Sequence, residues 1–405
     1  MKVLVVGNGA REHALSWKFA RSNRLSGLYV APGNAGTGTI ATNVSNIAAT
    51  DIEAITRFCV DTEISLVFVG PETPLALGLV DELEAHGVTA IGPNREASRL
   101  ESSKAFAKSF MTSYGIPTAA HQSFTNGDAF QEYVRNAPVR LVVKKSGLAG
   151  GKGVLESEDP DELIAFGLSV IESGDEVVAE EYLSGFEVSV FALTDGKNHV
   201  VLPACADYKK AGAGGAGPNT GGMGAICPVP WLTEEAYQKI VDEVVAPTFR
   251  GIADAGLTYR GVLYFGLMIT EAGPHLLEYN IRLGDPETQV LLPLLGADFT
   301  NWCDAIVHGT LDRFPASYRE ASAVGVVVAA DGYPGPYEKG LPVSSIPDAS
   351  TEEFVVFHAA TTLDNGTVRT NGGRCFTAVG MGRDLLTARS LAYATARGIS
   401  FPGAW

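Results

Sequence analysis

A glycine-rich stretch, LVVKKSGLAGGKGV at residues 141–154, contains Lys144 and Lys152 and has the composition of a phosphate-binding loop. Lys144 ends a predicted strand, and Lys152 lies in the loop that follows. Glycines let backbone N–H groups approach phosphate oxygens, and two ammonium groups offset phosphate charge. The stretch is not a Walker A element, because a glycine stands where the magnesium-binding Ser or Thr would be. We expect it to cover phosphates, a structural turn being the alternative. Its glycines are Gly147, Gly150, Gly151 and Gly153.

A second motif, LLEYNIRLGDPETQ at residues 276–289, has the spacing of a metal-binding strand. Glu278 and Asn280 are two residues apart on a predicted strand, so their side chains share one face. Two oxygen ligands suit Mg²⁺, which completes its octahedron with phosphate and water oxygens. Arg282 continues the alternation and would place a fixed cation beside the metal and a transferring phosphate. The alternative is an exposed polar face of an edge strand.

A third stretch, KKAGAGGAGPNTGGMGA from Lys209 to Ala225, contains seven glycines and no acidic residue. The chain around it is acidic, with a formal net charge of −16. The glycines would allow closure over a bound molecule. We expect this stretch to be a mobile substrate loop.

The first hundred residues supply elements that could position such groups. Short β-branched runs alternate with amphipathic stretches, which predicts a parallel sheet with crossover helices. The runs end in the turn-rich peptides GNGAREH, APGNAGT, GPETP and GPN, which would form a small-molecule rim at the carboxyl edge of the sheet. The first of these lacks the third glycine of a dinucleotide fingerprint, and no acid ends the next strand near Val30. Arg11 beside backbone amides could instead hold a phosphate.

The rest of the chain predicts two further regions. A helical connector, ASRLESSKAFAKSFMTSYG, ends at Gly115 with Pro117 beyond it. Strand-like and helical runs then mix to about Phe314, which is an α+β pattern. From about Ala321 the sequence is rich in strands, and residues 364–366 (Asp-Asn-Gly) are a hairpin signal.

Composition excludes several classes of protein. A length of 405 residues favours two to four domains. The acidic balance argues against sequence-independent nucleic-acid binding. No window is apolar enough for a membrane span and the N-terminus lacks a cleavage pattern, so we expect a cytoplasmic protein. The five cysteines are far apart, which favours free thiols over disulfides or a zinc site.

Eight motifs in order make the chain resemble the ATP-grasp ligases and, within them, the glycinamide ribonucleotide synthetases. The motifs are GNGAREHAL (7–15), APGNAGT (31–37), VGPE (69–72), SKAFAK (103–108), KSGLAGGKGV (145–154), GPNTGGMGA (217–225), RLGDPETQ (282–289) and NGGR (371–374). The resemblance implies a multidomain α/β and α+β fold like that of biotin carboxylase. Its parts would be an N-terminal parallel-sheet domain (1–101), a two-lobed ATP-grasp domain (102–316) and a small strand-rich C-terminal domain (317–405). It also implies a monomer or weak homodimer.

The resemblance further implies roles for individual residues. Lys104, Lys144 and Lys152 would contact ATP phosphates together with the loop glycines. The segment between the lobes that contains Glu180, Glu181 and Leu183 would read adenine through its backbone, and Glu187 would bind the ribose hydroxyls. Glu278 and Asn280 would hold Mg²⁺ or Mn²⁺. The residues implied at the reacting centre are Arg282, Asp285 and Lys152. Those implied in substrate binding are Gly9, Ala10, Arg11, Asn34, Glu72, Pro218, Asn219, Thr220, Gly221, Gly222, Met223, Gly284 and Pro286.

The implied chemistry makes an amide from a carboxylate, whose oxygen is a poor leaving group. ATP would phosphorylate the carboxylate of glycine while Mg²⁺, Lys and Arg neutralise charge, and the amine of 5-phosphoribosylamine would displace phosphate. The products would be glycinamide ribonucleotide, ADP and phosphate, as in purine biosynthesis. No protein nucleophile is needed, and a closing glycine loop would keep water from the acyl phosphate.

The sequence departs from the family pattern at a few positions. The family has an acid at the position of Ala213 and an Asp at that of Gly215. Other departures are Ala10, Lys145, Phe186 and Ala360. A buried ammonium group, such as that of glycine, needs an acidic or multiple-acceptor partner. Two interpretations therefore stay open: an ordinary purine ligase, the acids at these two positions being solvent-exposed in the family, and a related ligase of specialised metabolism with another carboxylate or amine. The intact lysines argue against a nucleotide-binding protein without turnover, and the incomplete fingerprint argues against a nicotinamide-dependent oxidoreductase.

Overall fold

The computed structural model describes residues 1–150, 153–314, 317–348 and 351–405. The first hundred residues form the predicted parallel sheet, in the order β3-β2-β1-β4-β5. Its strands are β1 (Lys2–Gly7), β2 (Gly27–Pro32), β3 (Thr42–Asn43), β4 (Leu66–Val69) and β5 (Ala90–Pro93). Its helices are α1 (Ala10–Phe19), α2 (Ile52–Thr62), α3 (Glu72–Ala76), α4 (Leu79–Ala85) and α5 (Arg99–Ser102). The apolar side chains of β1 are buried on both faces, as expected of a strand covered by crossover helices.

A four-stranded antiparallel sheet follows, in the order β6-β9-β7-β8. Its strands are β6 (His121–Phe124), β7 (Leu141–Lys145), β8 (Val154–Glu156) and β9 (Val177–Glu181). The helices of this lobe are α6 (Lys104–Ser113), α7 (Gly127–Arg135) and α8 (Pro160–Glu172). Ser103 caps α6 by accepting a hydrogen bond from Phe106 N–H (3.2 Å), and Gly115 ends the connector with φ +64°. The predicted helical connector is thus confirmed, with one interruption at Ser103 between α5 and α6.

The second lobe is built on one long strand that also joins the N-terminal sheet. Its elements are β10 (Phe186–Thr194), β11 (His199–Val201), β12 (Ala206–Asp207), β13 (Lys210–Gly212), β14 (Ala216–Asn219), β15 (Gly224–Cys227), α9 (Glu234–Ile240), α10 (Ala246–Asp254), β16 (Tyr259–Thr270), β17 (Gly273–Asn280), α11 (Glu287–Leu291) and α12 (Phe299–His308). Strand β16 pairs with β10 and β17, and its first residues pair with β5. One nine-stranded sheet therefore links the N-terminal rim to the second lobe.

The C-terminal region is the predicted strand-rich unit. Its elements are β18 (Ser322–Ala329), β19 (Phe354–His358), β20 (Thr361–Asp364), β21 (Thr367–Thr370), β22 (Arg374–Gly382) and α13 (Leu385–Arg397). The hairpin between β20 and β21 is confirmed, because Asn365 (φ +49°) and Gly366 (φ +80°) form its left-handed turn. The sheet order β12-β15-β18-β22-β19 shows that two strands from the middle of the chain complete this sheet. This arrangement ties the C-terminal region to the segment around Lys209.

The composition predicts free cysteine thiols and no membrane-spanning segment. All five cysteines are buried free thiols, as predicted. Across the described parts of the chain, none of the helices has both the length and the apolar character needed to cross a bilayer.

Candidate functional site

A cavity of about 430 Å³ lies where the N-terminal rim, both lobes and the C-terminal region meet. The rim contributes Arg11 and Glu72, which follow β1 and β4 at the carboxyl edge of the parallel sheet. Helix α6 contributes Lys104, and the C-terminal region contributes Arg374. Two of the four predicted rim peptides, GNGAREH and GPETP, therefore line this cavity, whereas APGNAGT and GPN supply none of the lining residues found in the described chain.

The glycine-rich loop borders the cavity through its described residues. Gly150 and Gly153 line the wall, and Gly147 lies beside the ion pair of Lys145 with Asp175 (2.6 Å). Gly151 and Lys152, which the sequence placed among the ATP contacts, lie outside the described residues. The loop follows β7 directly, as predicted.

Lys104 is placed in the cavity by the start of α6. Its N–H donates a hydrogen bond to the carbonyl oxygen of Ser146 (2.9 Å), and Ala105 N–H donates to the Ser146 hydroxyl (3.1 Å). Ser146 immediately follows β7 and is 5% exposed. The first turn of α6 is thus fixed to the strand that carries Lys144.

Two buried lysines share one carboxylate, and we call Lys108, Lys144 and Glu180 the lysine cluster. Glu180 Oε2 lies 2.9 Å from Lys108 Nζ and 3.0 Å from Lys144 Nζ. Burial alone would raise the pKa of Glu180, but the two lysines lower it. Burial lowers the pKa of Lys108 to about 8, in part because Lys144 is close. Glu180 Oε1 is buried without a partner among the described residues, so it can accept a hydrogen bond from a ligand.

The link between the lobes carries the other residues expected around adenine and ribose. Glu181 and Leu183 are half-buried on either side of an exposed Tyr182. Glu187 lies on β10 and forms an ion pair with Lys209. Burial would lower the pKa of Lys209, but Asp207 and Glu187 raise it, so the ammonium group is retained. Lys209 lines the cavity.

The predicted metal pair lies on β17 and faces the cavity. Burial would raise the pKa of Glu278, but Lys209, Lys104 and Lys144 lower it, so the carboxylate is ionised. Asn280 is buried, and its Nδ2 has no partner among the described residues. In the described chain no three His, Cys, Asp or Glu side chains form a closed metal cage. The Glu278 carboxylate and the Asn280 amide oxygen are two oxygen donors on residues that line the cavity, a set that fits a divalent cation taking its other ligands from phosphate and water.

Arg282 lies between two carboxylates, and we call Arg282, Glu72 and Glu101 the arginine cluster. Arg282 Nη2 donates to Glu101 Oε1 (2.8 Å) and to Asn280 Oδ1 (3.0 Å), and Arg282 Nε donates to Glu72 Oε2 (3.3 Å). Glu101 Oε2 also accepts a hydrogen bond from Ile281 N–H (2.8 Å). Burial raises the pKa of Glu101 to about 7, although Arg282 opposes the shift. Arg282 follows β17 in a bend rather than on the strand itself.

The loop after Arg282 packs against the N-terminal rim. Arg11 Nη1 donates to the carbonyl oxygen of Leu283 (3.1 Å). Asp285 Oδ1 accepts from Gln289 Nε2 (2.8 Å), and its Oδ2 lies 3.5 Å from Arg374 Nη2. Burial would raise the pKa of Asp285, but Arg374 and Arg11 lower it. Asp285 is therefore an oriented, ionised carboxylate on the cavity wall.

Five predicted residues around this loop and the start of α1 have packing or backbone contacts within the protein. A Cβ on Gly284 would overlap the Glu287 carboxylate, so a side chain there would displace that carboxylate. Pro286 leaves no room for a side chain at Gly222. Gly9 N–H donates to Glu12 Oε2 (2.6 Å) at the start of α1, where Ala10 is fully buried. Substrate contacts by these residues stay predictions.

Asn34 joins the N-terminal and C-terminal regions rather than lining the cavity formed by the described residues. Its amide nitrogen donates to the carbonyl oxygens of Asn8 (2.9 Å) and His358 (2.9 Å), among others. Its oxygen accepts from Gly36 N–H and Thr37 N–H, both at 2.9 Å. The side chain is 6% exposed and its hydrogen bonds are used within the protein. A direct substrate contact by Asn34 stays a prediction.

The glycine stretch from Lys209 to Ala225 is a hairpin with two distinct ends. Strands β13 and β14 pair, and residues 212–219 are exposed, including Pro218 and Asn219. Thr220 and Gly221 line the cavity, and Gly222 is buried behind them, with Met223 half-buried. Ala213 and Gly215, which replace the family's acids, lie at the exposed tip. Only the base of the predicted substrate loop reaches the site.

Several cavity residues were not identified from the sequence. They are Glu101, Lys108, Asp207, Glu287 and Arg374. Burial raises the pKa of Asp207 to about 7, and nearby Glu287 and Glu187 add to the effect. Arg374 ends the NGGR motif, so that motif was a usable signal. Glu101 and Lys108 lie on short amphipathic helices, where charged residues ordinarily indicate a solvated face.

Comparison with protein families gives three matches along the chain. Residues 1–101 match the phosphoribosylglycinamide synthetase N domain. Residues 102–288 match the phosphoribosylglycinamide synthetase ATP-grasp (A) domain. Residues 323–405 match the phosphoribosylglycinamide synthetase C domain.

Individual relatives agree over the full length. A phosphoribosylamine–glycine ligase of Rhizobium meliloti is 43% identical over 99% of this chain and 96% of its own length, and that of Vibrio cholerae is 43% identical over 100% and 96%. The crystal structure of a Thermotoga maritima phosphoribosylamine–glycine ligase has a TM-score of 0.86 at 35% identity, covering 100% of this chain and 98% of that one. A Campylobacter jejuni biotin carboxylase, at 16% identity and a TM-score of 0.79 over 100% of this chain and 92% of its own, shares the fold. The chain belongs to the phosphoribosylglycinamide synthetase family.

Proposed function

We propose that the protein joins the amine of 5-phosphoribosylamine to the carboxylate of glycine, with ATP as the energy source. The products are glycinamide ribonucleotide, ADP and phosphate. One observation carries the proposal: a single cavity is lined by Lys104 and Lys209, by the metal pair on β17, and by Arg282 with Asp285. These groups meet the needs of phosphoryl transfer to a carboxylate followed by attack of an amine. The full-length relatives named phosphoribosylamine–glycine ligase support the same reaction.

The lysines serve the nucleotide end of the reaction. Lys104 is fixed at the first turn of α6, where its ammonium group enters the cavity and offsets phosphate charge. Lys144 and Lys108 hold Glu180, whose free Oε1 accepts a donor such as the exocyclic amine of adenine. Lys152 and the glycines of its loop would cover the phosphates and exclude water from the acyl phosphate.

Arg282 and Asp285 serve the reacting centre. The guanidinium of Arg282 is oriented by Glu72 and Glu101 and binds the carboxylate that receives the phosphoryl group. Asp285, ionised and held by Gln289, binds the ammonium group of glycine. Neither residue forms a covalent bond, because positioning and charge neutralisation supply the catalysis of phosphoryl transfer.

ATP-grasp domains use ATP with a divalent metal ion, and Glu278 and Asn280 are the residues that would hold it here. When bound, the ion neutralises charge on the phosphate oxygens during transfer. Mg²⁺ or Mn²⁺ is the expected ion, since both prefer oxygen ligands. We also propose that the protein is a monomer or weak homodimer and that it is cytoplasmic. The proposed domain boundaries are 101/102 and 316/317.

Release of ADP by the full chain tests the proposal. The assay contains Mg-ATP and freshly prepared 5-phosphoribosylamine, with and without glycine, and the product mass is read in parallel. We expect glycine-dependent release with one glycinamide ribonucleotide per ADP. Glu278→Gln should lose this activity, whereas Glu271→Gln, at an exposed turn before β17, should retain it. ATP binding without glycine-dependent release would overturn the proposal and favour another carboxylate.

A further inference from the structure

The cavity wall formed by Thr220 and Gly221 is held in place from the C-terminal region. Gly221 N–H donates a hydrogen bond to the Tyr333 hydroxyl (2.9 Å). The carbonyl oxygens of Gly221 and Gly222 accept hydrogen bonds from Arg374 Nη1. Both backbone polar groups of Gly221 are therefore fixed by residues that follow it by more than a hundred positions.

Arg374 and Tyr333 do this in different ways. Arg374 lines the cavity and also donates to the carbonyl oxygen of Asp285 (3.0 Å), so it joins Gly221 to the reacting centre. Tyr333 is not part of the wall that the described residues form around the cavity. Its hydroxyl reaches the site through the hydrogen bond from Gly221 N–H. Tyr333 can therefore be changed without removing a group that touches substrate.

Close packing fixes the Tyr333 ring. A Cβ on Gly373 would overlap the ring, so the glycine of the NGGR motif just before Arg374 makes room for it. Backbone hydrogen bonds also hold the segment from Ala330 to Tyr333 in place. Ala330 N–H donates to Gly373 O (2.8 Å), and Tyr333 N–H donates to Ala330 O (3.1 Å). The hydroxyl is thus presented to Gly221 by a preformed turn.

We propose that Tyr333 is a positioning residue for the ligation, acting through Gly221 on the end of the cavity where Asp285 lies. The proposal rests on the proposed function, since it assigns Gly221 to the site where glycine is activated. Without the hydroxyl, Gly221 keeps its contact with Arg374 but loses the bond to its N–H. The base of the hairpin then has more freedom, and substrate is oriented less well.

Tyr333→Phe tests the proposal, with Tyr337→Phe as the matched control. Tyr337 is an exposed tyrosine whose ring lies 6.2 Å from that of Tyr333. Steady-state kinetics with glycine varied, ATP binding by titration, and hydrogen exchange of a peptide spanning residues 219–223 are measured on the full chain. Loss of one neutral hydrogen bond predicts a three- to tenfold fall in kcat/KM for glycine, roughly, and an ATP Kd within about twofold of wild type. The peptide should exchange faster in Tyr333→Phe only.

A second variant reaches the same contact from the other side. Gly373→Ala displaces the Tyr333 ring and should reproduce the kinetic change of Tyr333→Phe, with no further loss when the two are combined. Equal kcat/KM for wild type and Tyr333→Phe would overturn the inference while leaving the proposed function intact. Absence of glycine-dependent turnover in the wild type overturns the proposed function, and unchanged exchange in Tyr333→Phe separately overturns the contact on which the inference depends.

Discussion

The lysine cluster contains two cationic side chains and one carboxylate, whereas the arginine cluster contains one cationic side chain and two carboxylates. In the first, one carboxylate, Glu180, lies between two lysines at 2.9 and 3.0 Å. In the second, one guanidinium, Arg282, lies between two carboxylates at 2.8 and 3.3 Å. Both clusters are largely buried. The cavity lining found in the described chain includes Lys108 of the first cluster, but not Lys144 or Glu180, and all three residues of the second. With every group ionised, the first has an excess positive charge and the second an excess negative charge.

This difference separates two tasks at the cavity. An excess positive charge suits the end that receives a nucleotide, because anions are attracted there over several ångströms. An excess negative charge would repel a substrate carboxylate, so the arginine cluster must be adjusted to bind one. The raised pKa of Glu101, about 7, allows this cluster to become neutral by taking up a single proton. The end of the cavity beside the lysine cluster and the end beside the arginine cluster should therefore be sensitive to different substitutions.

The largest effect should come from removing the shared carboxylate of the lysine cluster. Glu180→Gln leaves the buried Lys108 and Lys144 without the carboxylate that both contact directly. We expect a loss of roughly 3–5 kcal/mol in the local opening free energy of β7 and β9, measured by native-state hydrogen exchange. The control, Glu235→Gln, removes an exposed pair with Lys239 and should cost less than about 1 kcal/mol. Equal effects of the two variants would show that the buried lysines need no carboxylate.

The next effect concerns the geometry of the arginine cluster rather than its charge. Arg282→Lys keeps the positive charge but cannot bond to Glu72, Glu101 and Asn280 together. Hydrogen bonds to charged groups are worth roughly 1.5–3 kcal/mol, so kcat/KM for glycine should fall by about 10- to 100-fold while ATP affinity changes little. Steady-state kinetics and ATP titration measure the two. Arg57→Lys, at an exposed pair, is the control, and full activity of Arg282→Lys would leave charge alone as the requirement.

A smaller effect is expected in the pH dependence of stability. The pKa of Glu101 is raised to about 7 from an ordinary value of 4.5, so the folded protein binds the proton more tightly than the unfolded chain. This carboxyl therefore contributes a fall in stability as the pH rises from about 4.5 to 7, with a slope of at most about 1.4 kcal/mol per pH unit. Thermal unfolding of Glu101→Gln across this range should lack that contribution. An identical slope in the variant would show that Glu101 titrates as an ordinary carboxyl.

Elements with local signals were predicted from the sequence. The β1 run, the end of the connector at Gly115 and the hairpin turn at Asn365 each follow from residues that are close in the chain. The positions of Glu278 and Asn280 on β17 followed for the same reason, since alternation is a local property. Eight short motifs then identified the fold as a whole.

Long-range partners were not predicted. Strand β15 pairs with β18 of the C-terminal sheet, and β12 pairs with β15. These pairings join residues far apart in the chain and have no local signature in the sequence. Glu101 was overlooked for a similar reason: its partner Arg282 is 181 residues away, and an acid on an amphipathic helix is usually solvated. Asn34 is the opposite case, because the sequence did identify it, as a residue of the rim. In the structure its amide joins the N-terminal and C-terminal regions.

The smallest effect is expected at the two hairpin positions where the family resemblance implies acidic residues. Ala213 and Gly215 lie at the exposed tip of the β13–β14 hairpin, whereas Gly221 at its base lines the cavity. Carboxylates at the tip would be solvated and screened, so Ala213→Asp, alone or with Gly215→Asp, should change the KM for glycine by less than about twofold. Asp285→Asn should raise it at least about tenfold, because the carboxylate that meets the ammonium group is lost. A severalfold lower KM in the tip variants would mean that the hairpin folds over the substrate, and the absence of those acids would then favour a carboxylate other than glycine.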